Sequence, residues 1–222
     1  GLMLSVSSAQ AEFINWVDWQ TEAPTTVTGT GDDNGTEIAV TYSGTHNTSV
    51  TSTNGAGIDY WAFDNGSVYT NNAVVDNRPP DSDIVSLLGG AGALTHTVTF
   101  SQAVLNPVMA ILSLGQSAIT VTYDFGDEEF SILSSGRGHW GGNASGSLFE
   151  FGTASVLTGI EGHGVIQFEG SYSEISWTVP TFENWHGFTL GFEGVAPVPV
   201  PAAVWGFAGA LVLLSRRLRI RG

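Results

Sequence analysis

Hydrophobicity that alternates residue by residue, in short runs cut by turn signals, is the feature that most restricts this chain. Residues 37–43 (EIAVTYS), 94–100 (LTHTVTF) and 118–125 (AITVTYDF) put apolar side chains on one face and Thr or other polar groups on the other. That is the period of a strand with one buried side. In this reading His96 falls on the polar face of its strand. Residues 108–114 (VMAILSL) are apolar nearly throughout and suit a strand buried on both faces. Residues 130–133, 165–169, 175–179 and 188–192 are further short candidates. Between them lie turn formers: Asp32-Asp33-Asn34-Gly35, Asn65-Gly66, Asn106-Pro107, Phe125-Gly126-Asp127 and Gly141-Gly142-Asn143, each rich in residues that accept tight or left-handed backbone. Residues 81–89 (DSDIVSLLG) read as the one short helix of the body, with an Asp or Ser N-cap and a Gly stop. The expected fold class is all-β: an antiparallel β-sandwich or jelly roll with one short helix, plus a C-terminal apolar helix. There is no internal repeat of fixed length.

Composition agrees with many strands and turns. Only 12% of the 222 residues are charged, Gly is abundant at 29, and Cys is absent. A helical bundle would need far more Lys, Glu and Arg on its outer faces. Without Cys there is no disulfide scaffold, no thiol nucleophile and no thiolate metal site. The charge is unevenly spread. Lys is absent, and four of the six Arg lie in the last seven residues. Within residues 12–196 only Arg78 and Arg137 oppose the 21 acidic residues, which leaves that body at −19. Such a body repels phosphate backbones, so nucleic acid is excluded as a partner.

Both ends read as addresses. Residues 1–11 (GLMLSVSSAQA) run from an apolar stretch into Ala9-Gln10-Ala11. Small side chains at Ala9 and Ala11 suit a signal peptidase, with cleavage before Glu12. Residues 1–11 are therefore expected to be a signal-peptide remnant, and residues 12–196 an extracytoplasmic domain. At the other end Pro197, Pro199 and Pro201 alternate with Val, which enforces extended backbone. Residues 202–214 carry no charge and are apolar all round, so they read as a transmembrane helix. Thirteen residues reach about 20 Å, short of a hydrocarbon core of about 30 Å. Arg216, Arg217, Arg219 and Arg221 follow and would stay on the cytoplasmic side. A permanent anchor would use the Arg cluster equally well, but it gains nothing from the prolines and is weakened by the short helix.

The run Val198-Pro199-Val200-Pro201-Ala202-Ala203-Val204-Trp205, followed by a Gly/Ala/Leu helix and terminal Arg residues, resembles the PEP-CTERM sorting signal. Val200 stands where the named form of that motif has Glu, so residues 197–222 look like an aliphatic Pro-x-Pro variant. The resemblance implies a Gram-negative bacterium, often one that makes exopolysaccharide. It implies recognition of Val198, Pro199, Val200, Pro201, Ala202, Trp205, Arg216 and Arg217 by an exosortase, a membrane protease that removes the tail. It also implies transient anchoring in the inner membrane and delivery to the cell envelope, the surface or the extracellular matrix. The body, with VTFSQAVLNPVMAILSLG in its middle and FENWHGFTLGFEG near its end, is similar in pattern to domains that precede such tails, and these mostly have no assigned activity.

Catalytic motifs are missing. His46, His96, His139, His163 and His186 are scattered singly, and no H-E-x-x-H pair, G-x-S-x-G elbow, phosphate-binding loop or dinucleotide fingerprint occurs. Structural roles are expected for the histidines. No catalytic activity, catalytic residue or cofactor is expected. Calcium is the one ion with any support, through the oxygen-rich turns at Asp32, Asp33, Asp124 and Asp127, although Asp and Asn are also what tight turns require. Among the tryptophans, Trp177 sits in an alternating strand and belongs to the core. Trp140 lies in the loop Gly138-His139-Trp140-Gly141-Gly142, and Trp61 follows Asp59-Tyr60. On a loop such rings can stack on the apolar faces of sugars, or they can close the end of a sandwich. The leading expectation is an exported surface or exopolysaccharide-matrix protein. A carbohydrate-binding module with Trp140 and then Trp61 as platform is the alternative. A secreted glycosidase is the second, with two carboxylates drawn from Glu150, Glu161, Glu169, Glu174 and Glu183.

Overall fold

The computed structural model describes residues 13–70, 73–89, 94–141 and 147–197. The expected signal cleavage residues Ala9 and Ala11, the sorting residues from Val198 to Arg217 and the apolar helix at 202–214 lie outside the described residues.

The described residues lie mostly in antiparallel strands. The first are β1 (Asn15–Trp16), β2 (Asp18–Ala23), β3 (Thr26–Asp33) and β4 (Thr36–Ser43). After a long connection come β5 (Val85–Gly89), β6 (Thr95–Leu105), β7 (Val108–Leu114), β8 (Val121–Asp124) and β9 (Ser131–Gly136). The last are β10 (Leu148–Phe151), β11 (Thr153–Gly159), β12 (Gly162–Gln167), β13 (Ser171–Thr178), β14 (Glu183–Phe192) and β15 (Gly194–Val195). Six strands form one sheet, in the order β1-β14-β7-β12-β9, with β5 also paired to β14. Nine form the other, in the order β10-β11-β8-β13-β6-β4-β3-β2, with β15 paired to β6.

The two sheets face each other in a sandwich-like arrangement, because both carry apolar residues at every second position. Ile38, Val40 and Tyr42 of β4, Val98 and Phe100 of β6, and Ile175 and Trp177 of β13 point inward from the larger sheet. They meet Met109 and Ile111 of β7, Ile166 of β12, and Phe188, Leu190 and Phe192 of β14. The intervening positions of β3, β4, β6 and β13 are mainly Thr and Ser. In register, Thr21, Thr28, Thr41 and Thr99 line up across four strands of the outer face.

Strand β7 is buried at all seven positions, as its apolar sequence predicts. Met109 and Ile111 face the larger sheet, whereas Val108, Ala110 and Leu112 face a second cluster with Ile14, Trp16, Trp61, Tyr69 and Ile84. The covering residues come mainly from the 60–84 segment. It opens with a 3-10 stretch at Tyr60–Gly66, kinked at Phe63–Asn65, and runs into α1 (Ser67–Thr70). Asp59 caps the stretch by accepting from the Trp61 and Ala62 amides, each at 3.1 Å.

Two expectations are corrected. Residues 81–89 do not form the helix. Ile84 bridges to Ser52, and Val85–Gly89 adds a strand to β14. Four apolar residues around Ser86 do not distinguish helix from strand by periodicity, and here β14 offers an edge that satisfies the backbone. Asp83, near the start of that run, accepts from the Trp19 amide at 2.9 Å and the Gly55 amide at 2.7 Å. Among the described residues the one α-helical turn is Ser67–Thr70. His96 does not lie on the polar face either. It shares parity with Val98 and Phe100, and that face is the core, so its ring is fully buried.

Candidate functional site

Trp140 is the most exposed of the described tryptophans, at 47%, and its backbone explains why. Gly138 and Gly141 exchange hydrogen bonds at 2.9 and 3.1 Å, which makes His139 and Trp140 the two tip residues of a tight turn. Gly138 is required by contact: a Cβ there would fall 2.2 Å from the His163 ring. The turn is thus clamped onto the sheet and Trp140 is thrown outward.

Three aromatic partners support its ring. Its centroid is 4.4 Å from Trp185, 4.9 Å from Tyr60 and 4.8 Å from His139. Tyr60 is held by the Asp59-capped turn, and Arg78 fixes Asp59 through Nη1 at 3.1 Å. Trp185 enters from the first turn-proximal residues of β14, where the pairing with β5 shifts register between Glu183 and His186. A register shift of this kind re-aims side chains. Trp140, Trp185 and Tyr60 border a cleft of about 530 Å3, which Ser113, Gln116, Glu161, Glu183 and Asn184 also line.

The polar wall contains two carboxylates. Glu161 accepts from the Ser117 amide at 3.1 Å and the Ser113 hydroxyl at 3.3 Å. Glu183 is almost fully buried and accepts from the Gly115 amide at 2.9 Å. His186 Nδ1 lies 2.8 Å from the same Glu183 oxygen, but without the alignment of a hydrogen bond. Behind the wall, His163 Nδ1 accepts from the Ser113 amide at 3.2 Å, so its proton sits on Nε2. Burial holds its pKa down at about 4.

Backbone strain gathers at this wall. Eight described non-glycine residues have a left-handed φ, and five of them are Asn or Asp, the types that tolerate it. The other three are Ser113 (φ 56°), Ala118 (φ 69°) and Glu161 (φ 50°). Ser113 sits at the register shift between β7 and β12. Ala118 lies in the turn beside Gln116, next to the amide that Glu161 accepts. Each costs of the order of ~1–3 kcal/mol, and such residues cluster where a site over-determines them.

The expected site residues separate clearly. Trp140 stands at the cleft. Trp61 does not: its ring is fully buried, packed on Tyr69, and its Nε1 donates to the Asp83 carbonyl at 3.0 Å. No face of it is open to a sugar, because the apolar underside of β7 needed cover. Asp32 accepts from the Gly35 amide at 3.0 Å, and Asp33 holds β15 through the Val195 amide at 2.9 Å. Asp124 accepts from the Gly126 amide at 2.9 Å, and Asp127 opens on a separate depression with Glu129 and Glu169. Among the described residues no three acidic or histidine side chains converge as ligands for a cation. Reading the sequence did not single out Trp185, Tyr60 or the pairing of Glu161 with Glu183. They come from three distant segments.

The fold and cleft together define an all-β, sandwich-like domain with an aromatic, acid-walled groove at one end. No family model matches the chain, and no curated protein or solved structure is significantly similar to it.

Proposed function

We propose that this chain is an exported cell-surface or exopolysaccharide-matrix protein, without catalytic activity of its own, that holds polysaccharide at the Trp140 cleft. The observation that carries the binding reading is the exposed Trp140 ring, braced by Trp185 and Tyr60 beside polar groups that can take sugar hydroxyls. Apolar ring faces stack on aromatic side chains, and carboxylate and amide groups fix orientation. Trp140→Ala is expected to weaken binding of a glycan oligomer about fivefold to tenfold, near ~1 kcal/mol for one stacked ring. Titration calorimetry on the two proteins checks this; unchanged affinity removes Trp140 from the site.

The export reading rests on residues 1–11 and 197–222. An exosortase-type protease is the proposed processing partner, with the inner membrane as a temporary support. In the native host, the protein recovered from the surface or matrix is expected to lack residues 1–11 and 202–222. Replacing Pro199 and Pro201 by Ala should leave it in the inner membrane. Mass spectrometry that finds peptides from residues 202–216 at full stoichiometry in the surface protein sinks this reading and leaves a permanent anchor.

A second reading, glycoside hydrolysis, is favoured by one observation: Glu161 and Glu183 line the same cleft as the aromatic platform. Two carboxylates flanking a bound sugar are the usual equipment of that reaction. Release of new reducing ends from the bound oligomer, abolished by Glu183→Gln, would establish it in place of simple binding.

A further inference from the structure

The charge of the cleft narrows its ligand. We propose that it selects polysaccharides carrying free amino sugars, with a sugar ring on Trp140 and the neighbouring ammonium group at Glu161. This rests on the glycan-binding reading above and adds the class of glycan.

Among the described residues the cleft is lined by two carboxylates and by no basic side chain. A uronate or sulfated chain would bring further negative charge to a partly desolvated acidic wall, where like charges repel strongly. A neutral glycan would leave the Glu161 charge unused. A protonated amino sugar satisfies it. Glu161 is only partly buried, and its carboxylate uses two donors, Ser117 N–H and Ser113 O–H. A carboxylate has about four lone-pair positions, so room remains for an ammonium donor. Glu183 is spent inside, against the Gly115 amide and the His186 ring. Its charge reaches the cleft as a field more than as a contact.

The aromatic rim points the same way. Cations are attracted to the faces of Trp and Tyr rings, and Trp140 and Trp185 line the same cleft as Glu161. The rings are packed against one another at 4.4–5.5 Å, too close to enclose a cation. They therefore form a platform, with the ammonium at its edge. The Ser117 amide and the Ser113 hydroxyl hold the Glu161 carboxylate in place, and Glu161 and Ser113 both have a left-handed φ. At longer range, a body of net charge −19 draws a polycation toward the protein.

The test uses the purified full chain and three probes at pH 6: a β-1,4-glucosamine hexamer, its fully N-acetylated counterpart and a hexameric uronate. The free-amine hexamer is expected to bind at least tenfold tighter than the acetylated one, and the uronate not at all. Glu161→Gln should erase that preference. Glu169→Gln, in the separate acidic depression, should leave the preference intact. Equal binding of the first two hexamers overturns the amino-sugar proposal while the glycan site stands. So does tighter binding of the uronate. Equal loss of preference in the two variants assigns the effect to general body charge and overturns it as well. If no hexamer binds, the glycan reading itself falls. Because the acetylated probe removes the charge from the ligand side, the comparison holds even if Glu161→Gln folds poorly.

Discussion

Lowering the pH from 7 to 4 is expected to cost this fold several kcal/mol through two buried histidines. Burial lowers the pKa of His96 and of His163 from 6.5 to about 4. For His96 the neighbouring His186 and His46 add to this, and for His163 the neighbouring His139 does. The hydrogen bonds show why the neutral form is required. Tyr42 donates its hydroxyl proton to the Thr45 carbonyl at 3.1 Å, so His96 Nδ1, 2.8 Å away, donates to the Tyr42 oxygen. Nε2 of His96 is buried without a partner, and protonating it would place an unpaired cation beside Trp177. The folded state therefore binds fewer protons than the unfolded state between pH 6.5 and 4. Stability is complete above that window and falls as the pH drops through it, by up to ~1.4 kcal/mol per pH unit for each histidine, or ~3 kcal/mol each by pH 4. Asp83 works in the opposite sense. Burial raises its pKa from 3.8 to about 6, so its protonation favours the fold as pH falls from 6 and offsets part of the loss, on the order of ~1–2 kcal/mol after solvent screening. Urea denaturation at pH 7, 5 and 4, with histidine NMR titration, checks the balance. Resonances of His96 and His163 that titrate near 6.5 would refute it.

Trp177→Ala should destabilise the protein by about 4 kcal/mol, within the usual range for a large aromatic removed from a core. Trp177 is the hub between the sheets. Its ring centroid lies 5.1 Å from Phe188, 5.6 Å from His96, 5.9 Å from Tyr123 and 6.1 Å from Phe125. These partners come from β14, β6 and β8 and from the turn after β8. Neither sheet can close the resulting void alone, because each is fixed by its own hydrogen-bond ladder. Domains are commonly stable by only ~5–15 kcal/mol. The variant should therefore lose a large share of its urea midpoint. A shift equivalent to under ~1 kcal/mol would show that the sheets repack, and the hub description would be wrong.

The legible parts of the fold were those where side-chain chemistry repeats along one strand. Residues 108–114 match β7 to the residue, because a run with six apolar residues in seven has only one home, between two covered faces. Strand β3 escaped notice: its inward positions include Gly29 and Gly31, which carry no apolar signal. Strand β5 was misread because four apolar residues fit helix and strand equally until β14 supplies an edge. Trp140 was legible as a loop aromatic, since glycines on both sides mark a turn. Trp61 had the same local look and went inward.

The sequence by itself determined the class of the fold, the −19 charge of the body and the turn that carries Trp140, because each depends on residue types at short spacing. Only the tertiary structure decided which face of 94–100 is the core, which tryptophan is open and which carboxylates share a wall. The cleft joins Tyr60, Trp140, Glu161 and Trp185, and the separations among them are set by sheet order and by the shifts of register at β7 and β14. Register is a property of paired strands, and a single strand's pattern does not contain it.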